Sequence, residues 1–193
     1  FVSMLTSFHP NAGKTLIIQN LAACVALKKA QVLIIDLDLR KATVSNALGC
    51  RRAGLAAYLN GKADDISSLI YEGSPGLHIL PVGNIPPNPT ELLLSERFET
   101  MIQDLRKRYD YIFMDCPPID IVADASIVTK ATDMTIFIVR AGMLDKREVS
   151  SLEDLYERGR FTRMALILNG VDMESRGYGT YRYGYGYGNS QKI

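Results

Sequence analysis

The chain has 193 residues, 47% hydrophobic and 22% charged, which suits one domain with a substantial buried core. A formal net charge of +1 argues against a nucleic-acid binder that works by bulk electrostatics. The three cysteines (Cys24, Cys50, Cys116) are odd in number and no two are spaced as C-x-x-C, and no apolar run reaches the roughly 18 residues of a membrane span. They are read as the reduced thiols of a cytosolic domain. No secretory signal opens the chain, which begins on Phe1 inside a strand-like run. The expectation is a piece of a longer polypeptide, whose remainder has room for a membrane anchor.

The apolar run Phe1 to Leu5 leads through a turn, Ser7 to Gly13, into an apolar-periodic run from Leu16 to Leu27. That is the order strand, turn, helix. Lys28-Lys29 then places positive charge where the helix dipole prefers it. Val32 to Ile35 is too short and too continuously apolar for a surface helix and reads as a buried parallel strand. It ends in Asp36-Leu37-Asp38-Leu39-Arg40.

From Ser45 to Ser74 the pattern is mixed, with short helical pieces at Leu55 to Leu59 and Asp65 to Tyr71. Leu77 to Val82 is a further strand, and a Pro-rich connection leads to a helix capped by Thr90 and running to about Arg108. Tyr111 to Met114 is a strand ending in Asp115-Cys116-Pro117-Pro118. Asp124 to Lys130 reads as a short helix, Met134 to Val139 as a strand, Lys146 to Arg158 as a helix and Met164 to Leu168 as a last strand. Alternation of this kind implies an α/β fold, a mostly parallel central sheet with helices on both faces. The composition changes after Val171. Residues 177–188 read GYGTYRYGYGYG, with glycine at nearly every second position, and such a segment is expensive to order. The expected division is a nucleotide-binding domain at 1–172 and a flexible tyrosine-rich tail at 173–193.

Three strand ends carry chemistry. Gly13-Lys14-Thr15 lies between a strand and a helix, where backbone N–H groups and the helix dipole surround a phosphate chain. Lys14 neutralises the β/γ-phosphates in this reading and Thr15 ligates Mg²⁺. The P-loop pattern G-x-x-x-x-G-K-[ST] is incomplete, because Phe8 stands at the first glycine position. Asp115 has the position of a carboxylate that holds Mg²⁺ directly or through water. Asp36 and Asp38, two residues apart in extended chain, share one face. One suits the metal shell and the other a base, the parts that phosphoryl transfer requires. Taken singly, each acidic strand end is also read as a solvated turn. The three together point to a nucleotide site.

Val32-Leu-Ile-Ile-Asp-Leu-Asp-Leu-Arg40 and Tyr111-Ile-Phe-Met-Asp-Cys-Pro-Pro118 resemble the Walker A′ and Walker B motifs of the bacterial tyrosine kinases. Val82 to Leu94, Arg140-Ala-Gly142 and the tyrosine cluster resemble that family too. The resemblance implies a P-loop fold and an ATP- and Mg²⁺-dependent protein-tyrosine autokinase. Its substrates would be Tyr178, Tyr181, Tyr183, Tyr185 and Tyr187 in the tails of neighbouring subunits. It implies a cytoplasmic domain at the inner face of the bacterial plasma membrane that regulates capsule and exopolysaccharide synthesis and export. Implied partners are a homo-oligomer (a ring in the full-length form), a membrane chain-length regulator, fused or separate, and a tyrosine phosphatase.

By motif, Lys14 contacts phosphates, Thr15, Asp38 and Asp115 serve the metal, and Asp36 is the base toward the tyrosine hydroxyl. Asn11, Ala12, Gly13, Leu16 and Arg40 line the nucleotide, and Asn169 resembles the adenine-contacting asparagine of related ATPases. One departure is the loop itself, Pro10-Asn11-Ala12-Gly13, where the family usually has Pro-Gly-Glu-Gly. The rival readings are a division-site or partitioning ATPase, whose extra lysine is replaced here by His9, and a non-catalytic nucleotide-sensing adaptor. His9 and His78 are read as ordinary loop and strand residues, and Cys116 as a packing residue.

Overall fold

The computed structural model describes residues 1–47, 49, 53–119 and 127–172. The elements are β1 (Val2–Ser7), α1 (Lys14–Ala26), β2 (Val32–Asp36), α2 (Thr43–Ala47), α3 (Leu55–Leu59), β3 (Tyr71–Ser74), β4 (Leu77–Leu80), α4 (Pro89–Leu93), α5 (Glu96–Arg106), β5 (Tyr111–Asp115), β6 (Met134–Arg140), α6 (Lys146–Glu157) and β7 (Met164–Asn169). Single 3₁₀ turns occur at Ile66–Leu69 and Thr129–Ala131.

Seven strands form one sheet in the order β3-β4-β2-β5-β1-β6-β7, parallel except for the β3–β4 pair. Central strands are apolar throughout because both faces are covered: every residue of β1 and of β2 is buried. On one face Ile18, Ala22 and Ala26 of α1 pack on Leu5, Ile34, Phe113 and Ile138. On the other, Phe98, Met101, Ile102 and Leu105 of α5 pack in one cluster with Met4, Leu33, Ile35 and Met114. Parallel register brings the C-terminal ends of β1, β2 and β5 to one rim: Leu5 pairs with Asp115, and Asp36 with Asp115. Ligands of open α/β sheets bind at such a rim.

Two expected elements differ. Asp65 to Tyr71 is not a helix. The Asp65 side chain accepts from Ser67 N and caps only a 3₁₀ turn, after which Tyr71 enters the antiparallel edge strand β3. The long helix expected from Thr90 is two helices. The Ser95 hydroxyl donates to Leu92 O at the end of α4, and its oxygen accepts from Phe98 N to start α5. The first three residues of the helix expected at Asp124 to Lys130 lie outside the described residues, as does the tail with Tyr178, Tyr181, Tyr183, Tyr185 and Tyr187; the described end passes into the Thr129–Ala131 turn. No helix of the described residues is long and apolar enough to cross a membrane.

Candidate nucleotide site

At the rim, Pro10, Asn11, Gly13, Lys14, Thr15 and Leu16 join Asp38, Lys41, Thr43, Asp115, Pro118 and Arg140 around an open cavity of about 420 Å³. A slightly larger hollow, about 500 Å³, lies between α5 and the Thr129–Ala131 turn, away from the P-loop and the acidic strand ends. The chemistry resides in the first.

The loop before α1 turns through two left-handed residues, Asn11 at φ 63° and Gly13 at φ 98°. Asparagine is among the few side chains that tolerate this region, which explains how the loop forms without the glycine expected there. Gly13 has a second reason: a Cβ on it would stand 2.1 Å from Asn169 Nδ2. The loop is braced from β6 and β7. Arg140 Nη1 donates to Asn11 O at 2.9 Å, and Asn169 Nδ2 donates to Ala12 O at 2.9 Å. Both contacts occupy loop carbonyls from outside, which leaves the start of α1 facing the cavity. Asn169 is therefore held against the loop, its Oδ1 accepting from Gly170 N.

Lys14 Nζ donates to Ser7 Oγ at 2.9 Å, and Ser7 Oγ donates to His9 O at 2.7 Å. Burial pushes the Lys14 ammonium below its ordinary range, and the charges of Asp115 and Asp38 pull it back. His9 does not line the cavity. Its Nε2 lies 2.6 Å from Glu148 Oε1, whose other oxygen completes the capping box of α6 by accepting from Asp145 N.

Thr15 Oγ1 lies 3.5 Å from Asp115 Oδ2, and Asp115 Oδ1 is buried with no hydrogen-bond partner among the described residues. A buried, unpaired carboxylate oxygen beside a P-loop hydroxyl is what a hard cation satisfies. No group of three or more His, Cys, Asp or Glu able to hold a metal occurs among the described residues. Mg²⁺ takes one or two protein oxygens and completes its shell with phosphates and water. Burial, with Asp36 close by, raises the Asp115 carboxyl to about 7.

The two acidic residues after β2 are placed differently. Asp36 is fully buried: its Oδ2 accepts from Ser45 N at 2.7 Å and Ser45 Oγ at 2.6 Å, and its Oδ1 from Asp38 N at 3.2 Å. Ser45 Oγ in turn accepts from Val82 N at 3.0 Å. Burial raises the Asp36 carboxyl to about 6. It ends β2 in register beside Asp115 and is not among the residues that line the cavity. Asp38 does line the cavity, accepting from Thr43 Oγ1 at 2.9 Å and Lys41 N at 3.1 Å. Arg40 is exposed and outside the lining, whereas Lys41 and Thr43 belong to it. Lys41, Thr43 and the brace from Arg140 escaped residue-level reading. Only the family resemblance of Arg140-Ala-Gly142 hinted at the last.

A left-handed loop opening a helix, a lysine, a hydroxyl and an orphaned carboxylate at adjacent strand ends define a P-loop nucleotide-binding domain. The profile of a family described as an AAA domain matches residues 9–152. Tyrosine-protein kinase CpsD of Streptococcus pneumoniae is 34% identical over 97% of this chain and 83% of its own length. Tyrosine-protein kinase wzc of Salmonella typhimurium is 35% identical over 94% of this chain but only 26% of its own length. The kinase domain of Escherichia coli tyrosine kinase ETK superposes with a TM-score of 0.82 at 32% identity, covering 95% of this chain and 72% of that one. The chain belongs to the bacterial tyrosine-protein kinases. It spans about a quarter of wzc and most of CpsD.

Proposed function

We propose that this domain transfers the γ-phosphoryl group of ATP to tyrosine hydroxyls, with the tail tyrosines 178, 181, 183, 185 and 187 of neighbouring subunits as acceptors. The observation that carries this reading is the convergence of Lys14, Thr15, Asp38 and Asp115 on one cavity. Such transfer rests on positioning and charge stabilisation. The α1 N-terminus and Lys14 receive the phosphates, with Asn11, Ala12, Gly13 and Leu16 forming the bed that Arg140 and Asn169 hold in place. Thr15 and Asp115 would hold Mg²⁺, which neutralises charge on the phosphate oxygens when bound.

A tyrosine hydroxyl near pKa 10 is a poor nucleophile while protonated. Asp38, the carboxylate beside the phosphate bed, is suited to accept its proton, and Asp36 acts by fixing the segment that carries Asp38. The wider setting follows the family: control of capsule and exopolysaccharide synthesis at the cytoplasmic face of the plasma membrane. A membrane chain-length regulator, a ring of like subunits and a tyrosine phosphatase are its partners.

Incubation with Mg²⁺ and ATP should place phosphate on tail tyrosines, read by mass spectrometry, and Lys14→Met should abolish it. ATP hydrolysis without phosphotyrosine would favour a plain ATPase. Equal labelling of the Lys14→Met protein would remove Lys14 from the mechanism.

A further inference from the structure

We propose that His9 and Glu148 are positioning residues of the nucleotide site. By joining the start of α6 to the P-loop they hold Lys14 where it meets the phosphates, a role that rests on the reading of the cavity as a phosphate bed.

β6 lies beside β1, with Ile138 in register with Ser7, so the chain that leaves β6 for α6 meets the loop that leaves β1. It grips that loop on both sides of Pro10. Ahead of the proline, His9 Nε2 lies 2.6 Å from Glu148 Oε1, close enough for the ring N–H to donate to the carboxylate. Beyond it, Arg140 Nη1 donates to Asn11 O at 2.9 Å. The closed ring of proline leaves little backbone play between the two grips. Phe8 is buried edge-on against Phe137, ring centroids 4.9 Å apart, which fixes the chain just before His9. Glu148 is itself fixed, because its other oxygen accepts from Asp145 N at 2.8 Å in the capping box of α6.

From His9 the constraint passes to Lys14 through one hydroxyl. Ser7 Oγ carries a single proton and gives it to His9 O at 2.7 Å. Its lone pairs are thereby left for Lys14 Nζ, 2.9 Å away, whose ammonium has only donors. Moving the His9 carbonyl frees the Ser7 hydroxyl to rotate and releases the lysine from its place. The His9 and Glu148 side chains are 36% and 22% exposed, and pairs so open to water add little to global stability. The consequence is local: a lysine already held in place loses less freedom on meeting a phosphate than a mobile one.

Titration of the whole chain with a fluorescent ATP analogue and Mg²⁺ tests it. His9→Ala and Glu148→Ala should each weaken binding about 3- to 10-fold, the loss of roughly one hydrogen bond. The double variant should lose no more than either single one. His9→Gln should restore most of the affinity, because its amide nitrogen reaches the place of the ring Nε2. Ser7→Ala should cost at least as much as His9→Ala, and the two together little more. Asp145→Ala strips the side-chain half of the α6 cap but leaves Glu148 in place, and should bind like wild type. Unchanged affinity in His9→Ala and Glu148→Ala overturns the proposal, as do additive losses or a His9→Gln variant no better than His9→Ala. An Asp145→Ala loss equal to that of Glu148→Ala overturns it too, by making the stability of α6 the cause. A wild-type chain that binds no analogue would instead overturn the nucleotide reading itself, so the two failures are told apart.

Discussion

The two flanks of the nucleotide cavity are built on different principles. The P-loop flank works through backbone: Asn11 and Gly13 take left-handed angles, and Arg140 and Asn169 hold loop carbonyls from behind. The flank after β2 carries two side-chain carboxylates in different surroundings. Asp36 binds Ser45 and, through it, Val82, so that Asp38 stands at the cavity. The contrast teaches that acidic residues two apart in a motif need not share surroundings: Asp36 ends the interior strand β2, whereas Asp38 follows it at the cavity.

Asp38→Asn separates the two tasks most sharply. It should lower the phosphotyrosine-forming rate by about 10²–10⁴-fold, the usual range for a positioned general base, while moving the melting temperature far less than Asp36→Asn. Steady-state kinetics beside calorimetry would show it, and a rate near wild type would return the base role to Asp36.

Asp36→Asn should act chiefly on stability. Its amide nitrogen would meet a donor whichever way it turned, on Ser45 or at Asp38 N, at about 1–3 kcal/mol, readable by denaturant titration. A fully stable yet inactive Asp36→Asn protein would break the comparison in the other direction.

On the backbone flank, Arg140→Ala frees Asn11 O and should raise KM for ATP about tenfold, roughly 1.4 kcal/mol, with little change in kcat. Asn169→Ala should behave similarly, and a loss confined to kcat would show that these residues contact the reacting groups instead.

A last effect is in pH. Asp36 and Asp115 are raised to about 6 and about 7, above the ordinary carboxylate range near 4, by burial. The folded state therefore binds protons that the unfolded chain releases. This contribution is complete below about pH 4 and is lost as pH rises through 6 and 7. The melting temperature of the nucleotide-free protein should fall between pH 5 and 8, less steeply in Asp36→Asn. A rising curve would contradict the burial of these groups.

The sequence by itself determined the alternating fold, the strand–turn–helix at Gly13-Lys14-Thr15 and the acidic strand ends, because period, turn chemistry and helix start are local. It missed β3, since a four-residue edge strand carries no period of its own, and it ran α4 into α5 because both keep one apolar stripe across Ser95. Only the tertiary structure decided which carboxylate faces the cavity, that Arg140 and Asn169 brace a loop more than a hundred residues away, and that Lys41 and Thr43 join the lining. Those facts depend on which strands become neighbours, and neighbours in a sheet are chosen by long-range packing that no local pattern encodes.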